Sequence, residues 1–197
     1  MDIYKVLKKQ KKSYTRFMLS MGFIFLLLPL VLYITRRFDL FFIIYLCVIE
    51  ALIFISVIIR YNEDYLKFEV DHDKLMVSIC GGRIKYRILS SKVVIVHTIP
   101  EEQNFNIILV TKSQFRNKRI KVITQRVIDK YKGLEEYYKK INKPDDGYYY
   151  YFIIKKGGAK KYLLLDVLYK YCLDALFTEN AVENIKQFRN SNKNRTS

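Results

Sequence analysis

Two basic runs in this sequence have the composition to hold a phosphate. Lys155, Lys156, Lys160 and Lys161 bracket a glycine pair at 157–158, and Arg116, Lys118 and Arg119 sit inside a second cationic run at 112–121. Glycine lets backbone N–H groups approach an anion closely, while flanking cations supply charge, so each run is a candidate lipid- or phosphate-binding tip. A plainer role competes with this one: charged hairpin tips stay solvated and discourage edge-to-edge pairing.

A third constellation lies in apolar sequence. Glu50 is the single charge in residues 40–59, and Pro29 interrupts the uncharged run 17–35. In an antiparallel helical hairpin turning near residue 37, residues at equal depth have numbers that sum to about 75, which sets Glu50 level with Phe25. Proline at 29 lacks the N–H that would have bonded to the Phe25 carbonyl. A protonated Glu50 could donate to that carbonyl and lock the helices together; the competing role is a contact with another membrane protein.

The remaining reactive side chains do not converge. Asp71, His72 and Asp73 are consecutive in turn-forming sequence, and His97 stands alone. Three cysteines, Cys47, Cys80 and Cys172, are too widely spaced for a metal set, and their odd number argues against a disulfide framework. No nucleophile with its base, carboxylate pair or ligand cluster is apparent, so the expectation is a non-catalytic protein without cofactor or metal.

These residues must be positioned by a chain with two distinct parts. Residues 17–35 and 40–59 are each long enough to cross about 30 Å of hydrocarbon as a helix, and residues 36–39 separate them. The expected anchor is therefore a transmembrane hairpin over 17–59. Lys5, Lys8, Lys9, Lys11, Lys12 and Arg16 precede it, against Arg36 and Arg37 in its loop, so the positive-inside bias puts both termini in the cytoplasm. Residues 1–16 then form a basic cytoplasmic arm of a multi-pass cell-membrane protein. A secretory signal is disfavoured because the apolar run is long and no small-residue cleavage pattern follows it.

The net charge is +16, and +11 of it lies beyond the hairpin, where 27 basic side chains face 16 acidic ones. Such a surface attracts phosphate, and the tether favours anionic lipid over nucleic acid because the surface potential of the membrane acts within about a Debye length, roughly 8–10 Å. The abundance of Lys, Ile, Tyr and Asn is also what an AT-rich coding sequence produces without selection for binding.

Six strand-like segments follow, at 65–71, 75–80, 83–88, 92–98, 105–111 and 119–124, joined by turn chemistry such as Gly81-Gly82. They read as a meander curling into a barrel or a twisted sheet. Val127, Ile128, Tyr131, Leu134, Tyr138 and Ile141 form a helical stripe over 125–142, ended by the breaker run 143–147. A third hairpin is expected over 148–165 across the glycine pair, then a helix capped by Asp166 and another capped by Thr178. The four tyrosines at 148–151 suit a base-stacking platform or, more simply, alternate packing in a strand. Residues 191–197 read as a disordered tail.

Two spans followed by the run Leu66 to Val77, a glycine turn, Arg83 to Ile88 and Lys92-Val93-Val94 resemble bacterial membrane-tethered proteins with a pleckstrin-homology-like domain, including the YcxB-like proteins. The resemblance covers the hairpin and about residues 65–123. It implies an α+β protein: a bent, seven-stranded antiparallel PH-like barrel with C-terminal helices over 60–190, engaged in binding or scaffolding. Its partner would be anionic lipid, a protein or a second copy of the chain. The resemblance also permits immunity against bacteriocin-type, membrane-active peptides; an accessory place in a larger membrane complex is a separate alternative. The helix at 125–142, placed before a further hairpin, departs from that pattern.

Overall fold

A computed structural model describes residues 3–36, 38–101, 104–131, 133–141 and 147–196. The chain is α+β, with two long N-terminal helices, two sheets and C-terminal helices. Helix α1 (Ile3–Thr35) and helix α2 (Leu40–Asp64) pack side by side as a hairpin. The Thr35 hydroxyl bonds back to the Val31 carbonyl at 2.9 Å, and Arg36 turns the chain with φ 51°. Arg37 and the breaker residues 143–146 lie outside the described residues.

From Ile3 onward the basic arm over 1–16 is helical. It is the first four turns of α1, and its apolar face enters the domain core: Ile3 is fully buried, and Tyr4 and Leu7 pack beside it. The Tyr4 ring lies 5.9 Å from that of Phe188. Burying one such side chain favours folding by about 1.5–3 kcal/mol, more than an isolated basic helix gains from propensity.

Strands β1 (Leu66–Asp71), β2 (Lys74–Ile79) and β3 (Ile84–Leu89) form an antiparallel meander, register Phe68 to Val77 to Tyr86. Leu66, Leu75, Val77, Ile79, Tyr86 and Ile88 bury one face while charged residues alternate outward. A second sheet has the order β6-β7-β5-β4-β8, comprising β4 (Val93–Pro100), β5 (Phe105–Thr111), β6 (Lys121–Val122), β7 (Tyr150–Ile154) and β8 (Leu176–Phe177). Only β8 runs parallel to its neighbour β4; the other pairings are antiparallel. The six-strand meander is thus divided between two sheets that share no ladder among the described residues.

All seven residues of β5 are buried, so this sheet is covered on both faces. Phe105, Ile107 and Leu109 face the larger core with β1–β3; Ile108 and Val110 face a second core beneath α3 (Gln125–Lys130) and α4 (Leu134–Lys140). The helix expected over 125–142 is these two pieces. Gly133, at φ 87°, supplies the left-handed break between them. The stripe itself packs against the second core.

Residues 160–165 are not a strand. Helix α5 (Lys160–Tyr171) starts directly after the glycine pair, placing Leu164, Leu165, Leu168 and Cys172 on one buried face. Asp166 is consequently mid-helix, where its carboxylate meets Lys170 Nζ at 2.7 Å and Arg189 Nε at 2.8 Å. Helix α6 (Glu179–Thr196) follows Thr178 and replaces the expected disordered tail as far as Thr196. Tyr148 is exposed and Tyr149 buried just before β7; within the strand Tyr150 packs on the larger core and Tyr151 on the second, as an alternating strand requires.

Candidate functional site

The glycine pair, expected at a solvated tip, lies against the foot of the helical hairpin. The Gly157 N–H donates to the Glu63 carbonyl at 2.8 Å, near the end of α2. Its φ is +107°, and a Cβ there would stand 2.5 Å from Leu66 Cβ; a Cβ on Gly158 would meet the Gln10 amide at 2.5 Å. Close packing of protein on protein therefore requires glycine at 157, whereas at 158 the Gln10 amide could shift aside and the positive φ of 52° is what favours glycine.

Gln10 completes this junction. Its Oε1 accepts from the Ala159 N–H at 2.9 Å and its Nε2 donates to Asp64 Oδ1 at 2.7 Å. Arg60 Nε lies 3.3 Å from Asp64 Oδ2. The pair is close enough to attract but is misaligned for a hydrogen bond, which leaves both atoms buried without one. The foot of α2, the arm of α1 and the start of α5 are thus joined through one carboxylate and one amide.

The four lysines around the glycines have separated roles. Lys161 is 1 % exposed; its Nζ donates to the Lys155 carbonyl at 2.9 Å and stands 5.7 Å from the Phe105 ring centre. Burial lowers its pKa, opposed by the nearby Glu101. Lys160 is exposed and its Nζ reaches the Asp64 carbonyl at 3.3 Å. Lys155 is exposed and Lys156 half-buried.

Arg116, Lys118 and Arg119 are exposed on the loop between β5 and β6. Phe115 and Arg116 adopt left-handed backbone there, and Asn117 Nδ2 donates to the Lys85 carbonyl at 3.0 Å. Because Thr111 pairs with Tyr150 and Ile107 with Ile154, this loop and the glycine pair leave opposite ends of β5 and β7. The two basic runs do not form one site.

Where the stem meets the domain there is a cavity of about 700 Å³, within the range usual for ligand sites. Leu7, Leu66, Phe68 and Leu163 give it apolar walls, and Tyr14, Tyr61 and Tyr65 line it with rings. Lys11, Lys67 and Lys160 contribute cations, with Gln10 and Asp64 beside them. Lys67 is paired with Glu69 at 2.6 Å, and Asp64 is engaged by Gln10 and Arg60. Lys11 and Lys160 therefore carry the cavity's uncompensated charge. Burial, together with Tyr61 and Asp64 nearby, raises the pKa of the Tyr14 hydroxyl, which stays protonated.

Sequence reasoning missed this cavity. A signal was present, since Ile3, Leu7, Gln10 and Tyr14 recur at three- and four-residue intervals and mark a helical face.

Glu50 is half-buried in α2, and no cation or hydrogen-bond donor among the described residues meets its carboxylate. Pro29 lies within α1, and Phe25 is 39 % exposed on the same helix. His72 Nδ1 contacts Asp71 Oδ1 at 2.8 Å on an open turn. His97 is buried against Thr178 Oγ1 at 3.1 Å, and burial pulls its imidazole down to about 4. No cluster of three His, Cys, Asp or Glu suited to a metal occurs among the described residues. Burial pushes the Cys172 thiol up to about 12, away from nucleophilic use.

Comparisons with protein-family models, curated proteins and solved structures find no match to this chain.

Proposed function

We propose that this chain is a non-catalytic, membrane-anchored binding or scaffold protein. One observation carries the reading. Helices α1 and α2 are each long and apolar enough to cross a membrane, and none of their most apolar windows is buried inside the protein, while the opposite ends of both helices are docked into the domain. A soluble core helix would be covered along its apolar length; these are bare where hydrocarbon would cover them and packed where water would be.

In this reading the loop at 36–39 faces outward, and the arm, the domain and both termini are cytoplasmic. The bias of exposed Lys8, Lys9, Lys11, Lys12 and Arg16 over the loop supports that orientation. The domain then engages anionic headgroups or a protein partner beside the bilayer. The β1–β3 meander followed by the β4–β5 hairpin and C-terminal α6 supports kinship with the PH-like tethered proteins that its sequence resembles. Glu50, without a hydrogen-bond partner among the described residues, favours a lateral contact with a second membrane protein.

Alkaline carbonate extraction of membranes holding the full chain tests the anchor. Retention of the protein in the pellet is expected, and release into the supernatant would overturn the reading.

A further inference from the structure

We propose that the cavity between stem and domain binds a single anionic phosphodiester lipid from the adjacent leaflet. The inference rests on the anchor reading, which fixes where the cavity lies. Tyr14 stands three residues before the apolar run that begins at 17, and Tyr61 two residues beyond its partner run, so at 1.5 Å per residue both lie about 3–5 Å from the hydrocarbon boundary. That is headgroup depth, where tyrosine rings are favoured. Leu7, on the far wall, lies about 15 Å along the same helix.

Charge complementarity selects the occupant. With Lys67 held by Glu69 and Asp64 by Arg60 and Gln10, Lys11 and Lys160 face the cavity as two cations from different elements. A phosphodiester bearing one negative charge and a neutral polar head satisfies them, while a choline headgroup would bring a third cation. Leu7, Leu66, Phe68 and Leu163 offer apolar contact to the glycerol backbone and the first methylenes. The volume of about 700 Å³ holds that part of a lipid and excludes whole acyl chains, which would stay in the bilayer. The site takes only Lys160 from the basic run around the glycine pair, whose Lys161 is buried, and nothing from the loop with Arg116, Lys118 and Arg119.

The test uses the full chain, reconstituted in vesicles of phosphatidylcholine containing phosphatidylglycerol, then extracted gently and examined by native mass spectrometry. Preferential retention of phosphatidylglycerol is expected, falling roughly thirtyfold in Lys11→Ala/Lys160→Ala, the scale of removing two juxtamembrane cations. Leu163→Trp, which fills the cavity without changing charge, should lower retention as well. Equal retention of both lipids by the wild type, or undiminished retention in both variants, would overturn the proposal. Displacement of the lipid by millimolar glycerol 3-phosphate without loss of membrane residence would assign the cavity to a free phosphate instead. Carbonate extraction of the same preparations separates the two readings, because a failed anchor releases the protein and a failed lipid site does not.

Discussion

The Gln10 side chain donates to the Asp64 carboxylate across 2.7 Å, tying the arm of the first helix to the foot of the second. The same amide accepts from Ala159, so one side chain couples the hairpin to the helix that carries much of the domain core. The hairpin thus meets the domain through a hydrogen-bonded stem and not through a slack linker.

Replacing Gln10 removes both bonds and leaves the half-buried Asp64 carboxylate without its amide donor. Gln10→Ala is expected to cost about 1–3 kcal/mol, a fall of several degrees in the melting temperature of the detergent-solubilised full chain. A melting temperature equal to the wild type's would show that the junction does not couple the two parts.

The glycine pair offers a sharper contrast. Gly157→Ala would force a Cβ against Leu66 at a φ of +107° and should cost about 3 kcal/mol or more. Gly147→Ala, also at positive φ but with nothing within 4 Å, should cost about 1 kcal/mol. Thermal unfolding of the two variants reads the difference, and equal losses would mean that the glycine pair is held by conformation alone.

His97 makes stability pH-dependent. Its folded pKa of about 4 lies below the unfolded value of 6.5, so the unfolded state binds more protons between those pH values. Stability is therefore undiminished above pH 6.5 and falls as pH drops towards 4, by up to about 3 kcal/mol. Melting curves at pH 7.5 and 5.0 should show a smaller difference in His97→Gln than in the wild type, and an unchanged difference would assign the pH dependence to other groups.

Glu50 is predicted to act in the membrane as a protonated donor, towards the Phe25 carbonyl freed by Pro29 or towards a partner protein. Glu50→Gln keeps a donor and should preserve helix pairing and assembly, read by crosslinking between the spans and by native gel mobility. Glu50→Leu should weaken one of them, and its having no effect would remove Glu50 from the account.

The strands were legible in the sequence because period-two alternation is local: β1 through β5 fall within one or two residues of the segments expected. What misled was the glycine pair. Gly-Gly between lysines has hairpin chemistry, yet Leu164, Leu165, Leu168 and Cys172 already carried a helical period, and Leu66 packs on Gly157 just before that helix begins. The basic arm concealed Ile3, Tyr4 and Leu7 because its charge dominates its composition, although charge and apolar face are separable on a helix. The cavity depends on contacts among residues 7–14, 60–68 and 160–163, and such distant juxtaposition is set by tertiary packing.

The central claim is that the apolar hairpin crosses the membrane and leaves the domain on the side of the basic arm. Labelling with a membrane-impermeant thiol reagent tests it in intact cells, using single cysteines introduced by Phe38→Cys in the loop and Tyr148→Cys on the exposed domain surface, with the native cysteines replaced. Phe38→Cys should label in intact cells and Tyr148→Cys only after permeabilisation. Labelling of both without permeabilisation, or protection of Phe38→Cys with labelling of Tyr148→Cys, would contradict the account.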